Sequence, residues 1–334
     1  MPSTNQQILL AKMPTDRLTE DCFAEASADI VPPASGEVLC RTRYLSIDPA
    51  NRAWMQAATY RSQLDAGTVM SGSTIGEVIA GDLPAGTIVH GDGGWQEYFT
   101  RPVSELQVVD VRAPLSHYAG VLGVNGLTAY FGLLDVGKPT AGDTVVVSAA
   151  AGATGNVVGQ IAKRVGARVV GITGSETKNA MLRDRLGFDA TVNHRSETFR
   201  ADLRAACPGG IDVYFDNVGG PVLEAVLSRA NLHSRIVCCG VVSQYDTGTP
   251  GPGPRGVPGH LVTKRIRMEG FLVHDYADQQ PAALDELHDW VARGELVVLE
   301  EIIDGLSGAP AALIGQLAGS NVGKLMIRVA PDTA

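Results

Sequence analysis

The spacing of hydrophobic positions along this chain changes at about residue 124. Before that point, short runs at 37–47, 74–80, 86–90 and 95–100 alternate apolar and polar residues and are separated by Gly, Pro and Asp turns. Period-2 alternation puts one face of a strand in a core and the other in solvent, so these runs predict a compact, mostly antiparallel β domain. After it, 144–148 (TVVVS) is apolar throughout. Residues 155–165 follow, with Val157, Val158, Ile161, Ala162 and Val165 on one helical face. Strand signals at 168–173, 190–193, 212–218 and 234–240 then alternate with helix signals at 176–186, 197–206 and 222–229. Strands apolar on both faces, alternating with amphipathic helices, predict an α/β fold with a doubly wound parallel sheet.

The run 247–259, TGTPGPGPRGVPG, is too rich in Pro and Gly for helix or sheet and predicts a loop, a candidate lid beside a site. A strand at 267–273 and a helix at 279–291 complete the second pattern. The tail carries strand, helix and strand signals at 296–303, 309–317 and 325–329 and is expected to return to the first domain. The expected organisation is therefore a mostly β domain over 1–123, completed by 298–334, around a nucleotide-binding domain over 124–297.

Composition narrows the function. The chain has 334 residues, 36 acidic and 27 basic side chains and a formal charge of −9, without Lys/Arg runs, which argues against nucleic acid or an anionic membrane as partner. No apolar stretch approaches the ~18 residues of a membrane span. The N-terminus lacks the basic leader and long apolar segment of a secretory signal. Five cysteines, an odd number, are expected as reduced thiols in the cytoplasm. Cys238 and Cys239 lie in a strand-like RIVCCG run that would point them to opposite faces. No cysteine has a partner at metal-ligand spacing, so no metal site is expected.

The 39 glycines concentrate attention on Ser148-Ala149-Ala150-Ala151-Gly152-Ala153-Thr154-Gly155, which follows a strand and opens a helix. Small residues there let backbone amides approach a pyrophosphate at the positive end of the helix dipole. Ala150 stands where the usual dinucleotide fingerprint has its first glycine. NAD-binding folds place an acid roughly 20 residues on, at the tip of the second strand. Here that tip reads Ile172-Thr173-Gly174-Ser175 with Lys178 one turn later, which suits a 2′-phosphate and predicts NADP(H).

Three segments then carry a resemblance: Gly126-Leu-Thr-Ala-Tyr-Phe-Gly-Leu-Leu134, the AAAGATGNVVGQIAK run, and Tyr214-Phe-Asp-Asn-Val-Gly-Gly220. Together with Tyr44-Leu-Ser-Ile-Asp-Pro49, Cys239-Gly-Val-Val-Ser-Gln-Tyr245, Gly270-Phe-Leu-Val273 and Asn321-Val-Gly-Lys324, they resemble the medium-chain dehydrogenase/reductase superfamily. Within it they resemble the zinc-free group of leukotriene B4 dehydrogenases, prostaglandin reductases and plant double-bond reductases. The resemblance implies a GroES-like catalytic domain, a Rossmann domain and a homodimer built through the Rossmann sheets. It also implies NADPH-dependent reduction of the C=C bond of α,β-unsaturated ketones or aldehydes. Carried over by position, the cofactor contacts are Ala150, Gly152, Ala153, Thr154, Gly155, Lys178, Asn217, Cys239, Gly240, Val241, Ser243, Tyr245, Phe271, Leu272, Val273 and Asn321. His194 stands where relatives often have Tyr. The chain departs from the family's Asp-Pro-Tyr-Met-Arg at Asp48-Pro49-Ala50-Asn51-Arg52, which removes an aromatic wall beside the expected pocket, and again at Val124-Asn125-Gly126.

Hydride addition to the β-carbon of an enone leaves an enolate that a hydrogen-bond donor must stabilise. Tyr245, at a strand end beside the Pro/Gly loop, is the expected donor; Tyr60 is a second hydroxyl from the first domain, and the cofactor ribose a third. Two alternatives stay open at this level: a zinc-free NADPH quinone reductase, and a non-catalytic NADPH-binding protein.

Overall fold

In the computed structural model, which describes residues 3–249 and 251–331, the chain divides into two units. The first takes the chain up to Gly120, Tyr245–Thr249 and everything from Glu300 on; the second takes Val121–Gln244 and the stretch up to Leu299. The first holds β1 (Thr4–Leu10), β2 (Phe23–Asp29), β3 (Glu37–Ser46), α1 (Ala50–Gln56), β4 (Ser73–Gly81), β5 (Ile88–Asp92), β6 (Tyr98–Pro102), β7 (Gln107–Val108) and α2 (Leu115–Tyr118). The second holds α3 (Val124–Phe131), β8 (Thr144–Ser148), α4 (Ala153–Val165), β9 (Arg168–Thr173), α5 (Glu176–Leu186), β10 (Ala190–Asn193), α6 (Phe199–Ala206), β11 (Ile211–Asp216), α7 (Gly220–Arg229), β12 (Ala230–Cys238), α8 (Val257–Lys264), β13 (Arg267–Gly270) and α9 (Gln280–Ala292). The tail adds β14 (Glu300–Asp304), α10 (Ala309–Leu317) and β15 (Lys324–Arg328).

In the second unit six strands run parallel in the order β10-β9-β8-β11-β12-β13. Strand order reverses beside β8, the switch point at which open α/β sheets take ligands. Val146, Val170, Tyr214 and Ile236 from adjacent strands are buried with Leu223 and Val226 of α7, which explains why these strands are apolar on both faces. In the first unit the tail returns as expected: β15 pairs antiparallel with β3, and β14 parallel with β15, in a seven-stranded sheet. Met55, Trp95, Leu313 and Ile327 share its core.

Several boundaries differ from the sequence reading for physical reasons. The β1–β2 pair was not legible because its residues are mostly polar or exposed. The Pro/Gly run is not loop throughout: α8 begins inside it at Val257, after Gly256 at φ +71°, with Pro258 in the first turn. Proline lacks only an amide that a first turn leaves unused. Pro250 of that run lies outside the described residues, as do Met1, Pro2 and 332–334. β12 ends at Cys238, so Cys239 is already in the following turn, its amide and that of Gly240 donating to the Asp216 carbonyl. β13 ends at Gly270, which leaves Phe271, Leu272 and Val273 beyond the strand. The tail strand starts only at Glu300: Leu296 and Leu299 are buried as irregular chain.

Candidate functional site

The carboxyl ends of the parallel strands gather most of the expected cofactor residues. Between β8 and α4 the backbone turns sharply at Ala149, whose φ of +47° is rare for a residue with a side chain. The Gly152 amide donates back to the Ala149 carbonyl at 2.9 Å. A Cβ on Gly155 would lie 2.4 Å from that same carbonyl oxygen, so helix and strand approach as closely as only glycine allows. Gly152 is the helix N-cap and no side chain caps α4. The amides of Ala153, Thr154 and Gly155 therefore open toward an anion with the helix dipole behind them. A pyrophosphate fits this cradle. Ala150 is fully buried behind it. Asn125, one of the departures from the family pattern, donates to Thr154 Oγ1 at 3.3 Å and so lies at the turn.

At the end of β11, Asn217 is bound to β8 twice: its amide donates to Ser148 Oγ at 2.9 Å and its Nδ2 to the Ser148 carbonyl at 2.7 Å. The segment after β12 folds onto this pair, the Val242 amide donating to the Asn217 carbonyl and the Ser243 amide to the Val218 carbonyl, both at 3.2 Å. The glycine turn, Asn217, and Cys239 to Ser243 thus form one contiguous surface. Asp216 beneath it accepts from the Tyr214 hydroxyl (2.8 Å) and the Val218 and Gly219 amides (3.0 and 2.8 Å). Burial raises its pKa, partly offset by these donors, and its task is to lock the strand end. Burial also pushes the Cys239 thiol up to about 12, so it stays a neutral thiol at pH 7.

At the tip of β9, Ser175 caps α5 by accepting the Lys178 amide at 3.3 Å. Glu176, the one acid nearby, accepts from Asn179 Nδ2 at 3.1 Å and is thereby tied to its own helix. His194 and Arg195 come to the same place: a Cβ on Gly174 would lie 3.2 Å from His194 Nε2 and 3.3 Å from Arg195 Nε. Burial and, secondarily, the Arg195 charge lower the His194 pKa, so its imidazole is neutral at pH 7. Sequence reasoning missed Arg195. The signal was its place just past β10, next to β9 in the sheet.

Tyr245 and Tyr60 both belong to the first unit. Tyr60 is 56 % exposed, and its pKa is raised, first by partial desolvation and then by smaller pushes from Asp48 and the Tyr245 phenol. Its ring meets Trp54 edge-on at 6.3 Å, and the Arg61 guanidinium lies 4.4 Å over the same indole. Asp48 accepts from Ser46 Oγ and, at 2.8 Å, from the buried Lys324 ammonium. Close by in the same unit, His90 Nε2 and Ser73 Oγ are 2.7 Å apart, and burial lowers the His90 pKa. Asn51, at the departure from the family pattern, is buried, accepts the Asp48 amide at 2.9 Å and donates to the Ser71 carbonyl at 3.0 Å. Asn321 lies in the first unit, with its side-chain amide donating to the Gly323 carbonyl at 3.0 Å. Among the described residues, no group of three or more His, Cys, Asp or Glu side chains stands ready to hold a metal ion. No helix among them is long and apolar enough to cross a membrane.

Two family models match the chain, an N-terminal domain of oxidoreductase over residues 6–109 and a zinc-binding dehydrogenase domain over 153–292. The chain is 41 % identical to the NADPH-dependent curcumin reductase of Escherichia coli over 98 % of both sequences. It is 38 % identical to the NADP(+)-dependent 2-alkenal reductase of Nicotiana tabacum, again over 98 % of both. Its fold superimposes on the crystal structure of CurA from Vibrio vulnificus in complex with NADPH with a TM-score of 0.93, at 39 % identity, covering 98 % of this chain and 100 % of that one.

Proposed function

The chain belongs to the zinc-free medium-chain dehydrogenase/reductase family, and from that premise we propose that it is an NADPH-dependent reductase of the C=C bond of α,β-unsaturated ketones and aldehydes. What carries the reading is the pairing of two features with likeness over the whole chain. One is a glycine cradle whose neighbouring strand tip has cations and a tied-down acid. The other is a first unit that supplies two tyrosine hydroxyls, those of Tyr60 and Tyr245.

When bound, NADPH supplies a hydride to the substrate β-carbon. The chain's own residues do the rest. The Ala153–Gly155 amides hold the pyrophosphate, while Ser175, Lys178 and Arg195 face the 2′-phosphate, with His194 as a neutral hydrogen-bonding neighbour. Asn217, Cys239, Gly240, Val241 and Ser243, with Phe271, Leu272 and Val273, line the nicotinamide end. Asn321 is assigned to the cofactor by family position alone. Tyr245 donates its hydroxyl proton in a hydrogen bond to the developing enolate oxygen, with Tyr60 beside it as a second neutral donor. A proton from solvent water then adds to the α-carbon of the enolate and leaves hydroxide to the medium, which gives the saturated carbonyl product. The exposed edge of the sheet at β13, with Val262 of α8 75 % exposed nearby, supports a homodimer joined through the second units. Five free thiols support a reducing, cytoplasmic setting.

The test is oxidation of NADPH deuterated at its transferable position against enals, enones and quinones, with products identified by mass. The expected result is a saturated ketone or aldehyde with deuterium on its former β-carbon. Turnover confined to quinones, or binding without turnover across the panel, overturns the reading. At the phosphate end, Lys178→Ala removes a charge-assisted hydrogen bond worth roughly 1.5–3 kcal/mol, so KM for NADPH should rise at least about tenfold. KM for NADH should stay the same, and an equal rise for both cofactors would refute the 2′-phosphate role.

A further inference from the structure

The segment Tyr245–Thr249 belongs to the first unit although its flanks on both sides belong to the second, so something must hold it there. Arg52 of α1 is 1 % exposed; its Nε donates to Asp246 Oδ1 at 3.3 Å and its Nη2 to the Asp16 carbonyl at 2.7 Å, and its Nη1 has no hydrogen-bond partner. The same Asp246 oxygen accepts the Leu18 amide at 2.7 Å. One turn along α1, Gln56 Nε2 donates to the Thr247 carbonyl at 2.9 Å. The Gly248 amide donates to Asp16 Oδ1 at 2.9 Å, and a Cβ on Gly248 would lie 2.3 Å from the Thr15 carbonyl oxygen. These bonds join α1, the 15–18 loop and the residue next to Tyr245 around one guanidinium.

We propose that Arg52 is a positioning residue which, through Asp246, fixes the backbone at Tyr245 and so aims the Tyr245 hydroxyl; this rests on the reading of Tyr245 as the enolate donor. A buried ion pair is a poor device for stability, since apolar residues of similar volume commonly serve as well or better. What it supplies is direction. Asp246 cannot move away without stranding a buried charge, whereas an apolar contact would tolerate sliding. Small displacements of a donor are costly in rate, up to about a hundredfold for 1 Å. The pair also explains why Arg52, on a short helix whose neighbour Asn51 is taken up by the Asp48 turn and the Ser71 carbonyl, is turned inward although it is a charged residue.

The experiment is a double-mutant cycle between Asp246→Asn and Tyr245→Phe, reading kcat, KM for NADPH and thermal midpoint with a small enone. Asp246→Asn should lower kcat roughly tenfold with KM for NADPH within about twofold of native, and should cost less than about twofold when added to Tyr245→Phe. Arg52→Lys, which keeps the charge and loses the fork, should show the same dependence on Tyr245. Asp246→Glu runs the same cycle should the Asn variant not fold. Native kcat in all three variants, or an equal loss in both Tyr245 backgrounds, overturns the positioning role while leaving the donor intact. Native kcat in Tyr245→Phe alone instead removes the donor reading on which this role rests.

Discussion

Replacing Tyr245 by phenylalanine is expected to lower kcat about a hundredfold while leaving KM for NADPH and the thermal midpoint close to native. The size follows from what is removed. A preorganised donor to a developing oxyanion acts only when charge appears, so its loss falls on kcat and spares ground-state binding. The ring itself remains in the variant and Tyr245 is only half-buried, so packing changes little. Tyr60→Phe is the informative companion. Desolvation raises the Tyr60 pKa, so it too is a neutral donor at neutral pH. If the two hydroxyls share the oxyanion, each single variant loses part of the rate and the double variant loses more than either. Turnover unchanged in Tyr245→Phe would move the donor role to Tyr60 or to the cofactor ribose.

Much of this architecture was legible because the local rules agree with the global fold. Apolar runs such as TVVVS can be covered on both faces only inside a parallel sheet, and β8 falls on them residue for residue. The tail helix likewise falls on 309–317, where apolar spacing and an N-terminal Pro outweigh the one interior glycine, Gly315. The failures occur where one rule was applied beyond its domain. Proline was taken to exclude helix across 247–259, whereas Pro258 sits where α8 has no use for an amide. β1 and β2 carry little hydrophobic period, and what orders them is their mutual pairing, the burial of Ile8 and Leu10, and bridges from Gln7 and Leu9 to Gln96 and Val69.

The site divides in the same way. The glycine turn and Lys178 were legible as candidates because phosphate binding demands a local motif, strand then turn then helix, within one stretch of sequence. Arg195, Arg52, Asp246 and His90 were not, because each acquires its neighbours from a distant segment: Arg195 reaches Gly174 across the sheet, and Arg52 reaches Asp246 from 194 positions away. Asn51 is a further case: its side-chain amide satisfies the Asp48 turn and the Ser71 carbonyl, which no pattern of types along α1 could reveal.

The second large effect is expected at Gly155. A glycine in the first turn of a helix ordinarily gains up to about 1 kcal/mol on becoming alanine. Here the added methyl would sit 2.4 Å from the Ala149 carbonyl oxygen and 2.9 Å from the Ala150 Cα, both backbone atoms. The carbonyl cannot simply swing aside, because it accepts the Gly152 amide at 2.9 Å and belongs to a residue already held at φ +47°. Overlap of this kind costs roughly 1–3 kcal/mol, which exceeds the propensity gain, and relief comes only by opening the turn that forms the cradle. Gly155→Ala should therefore be less stable to denaturant and raise KM for NADPH at least about tenfold, since each misaligned amide forfeits a charge-assisted bond to phosphate. Gly209→Ala is the matched control: a Cβ there meets nothing within 4 Å, so stability should stay within about 0.5 kcal/mol and cofactor affinity should be native. If the two variants behave alike, close approach at Gly155 is not what shapes the nucleotide site, and the cradle would have to be rebuilt around other residues.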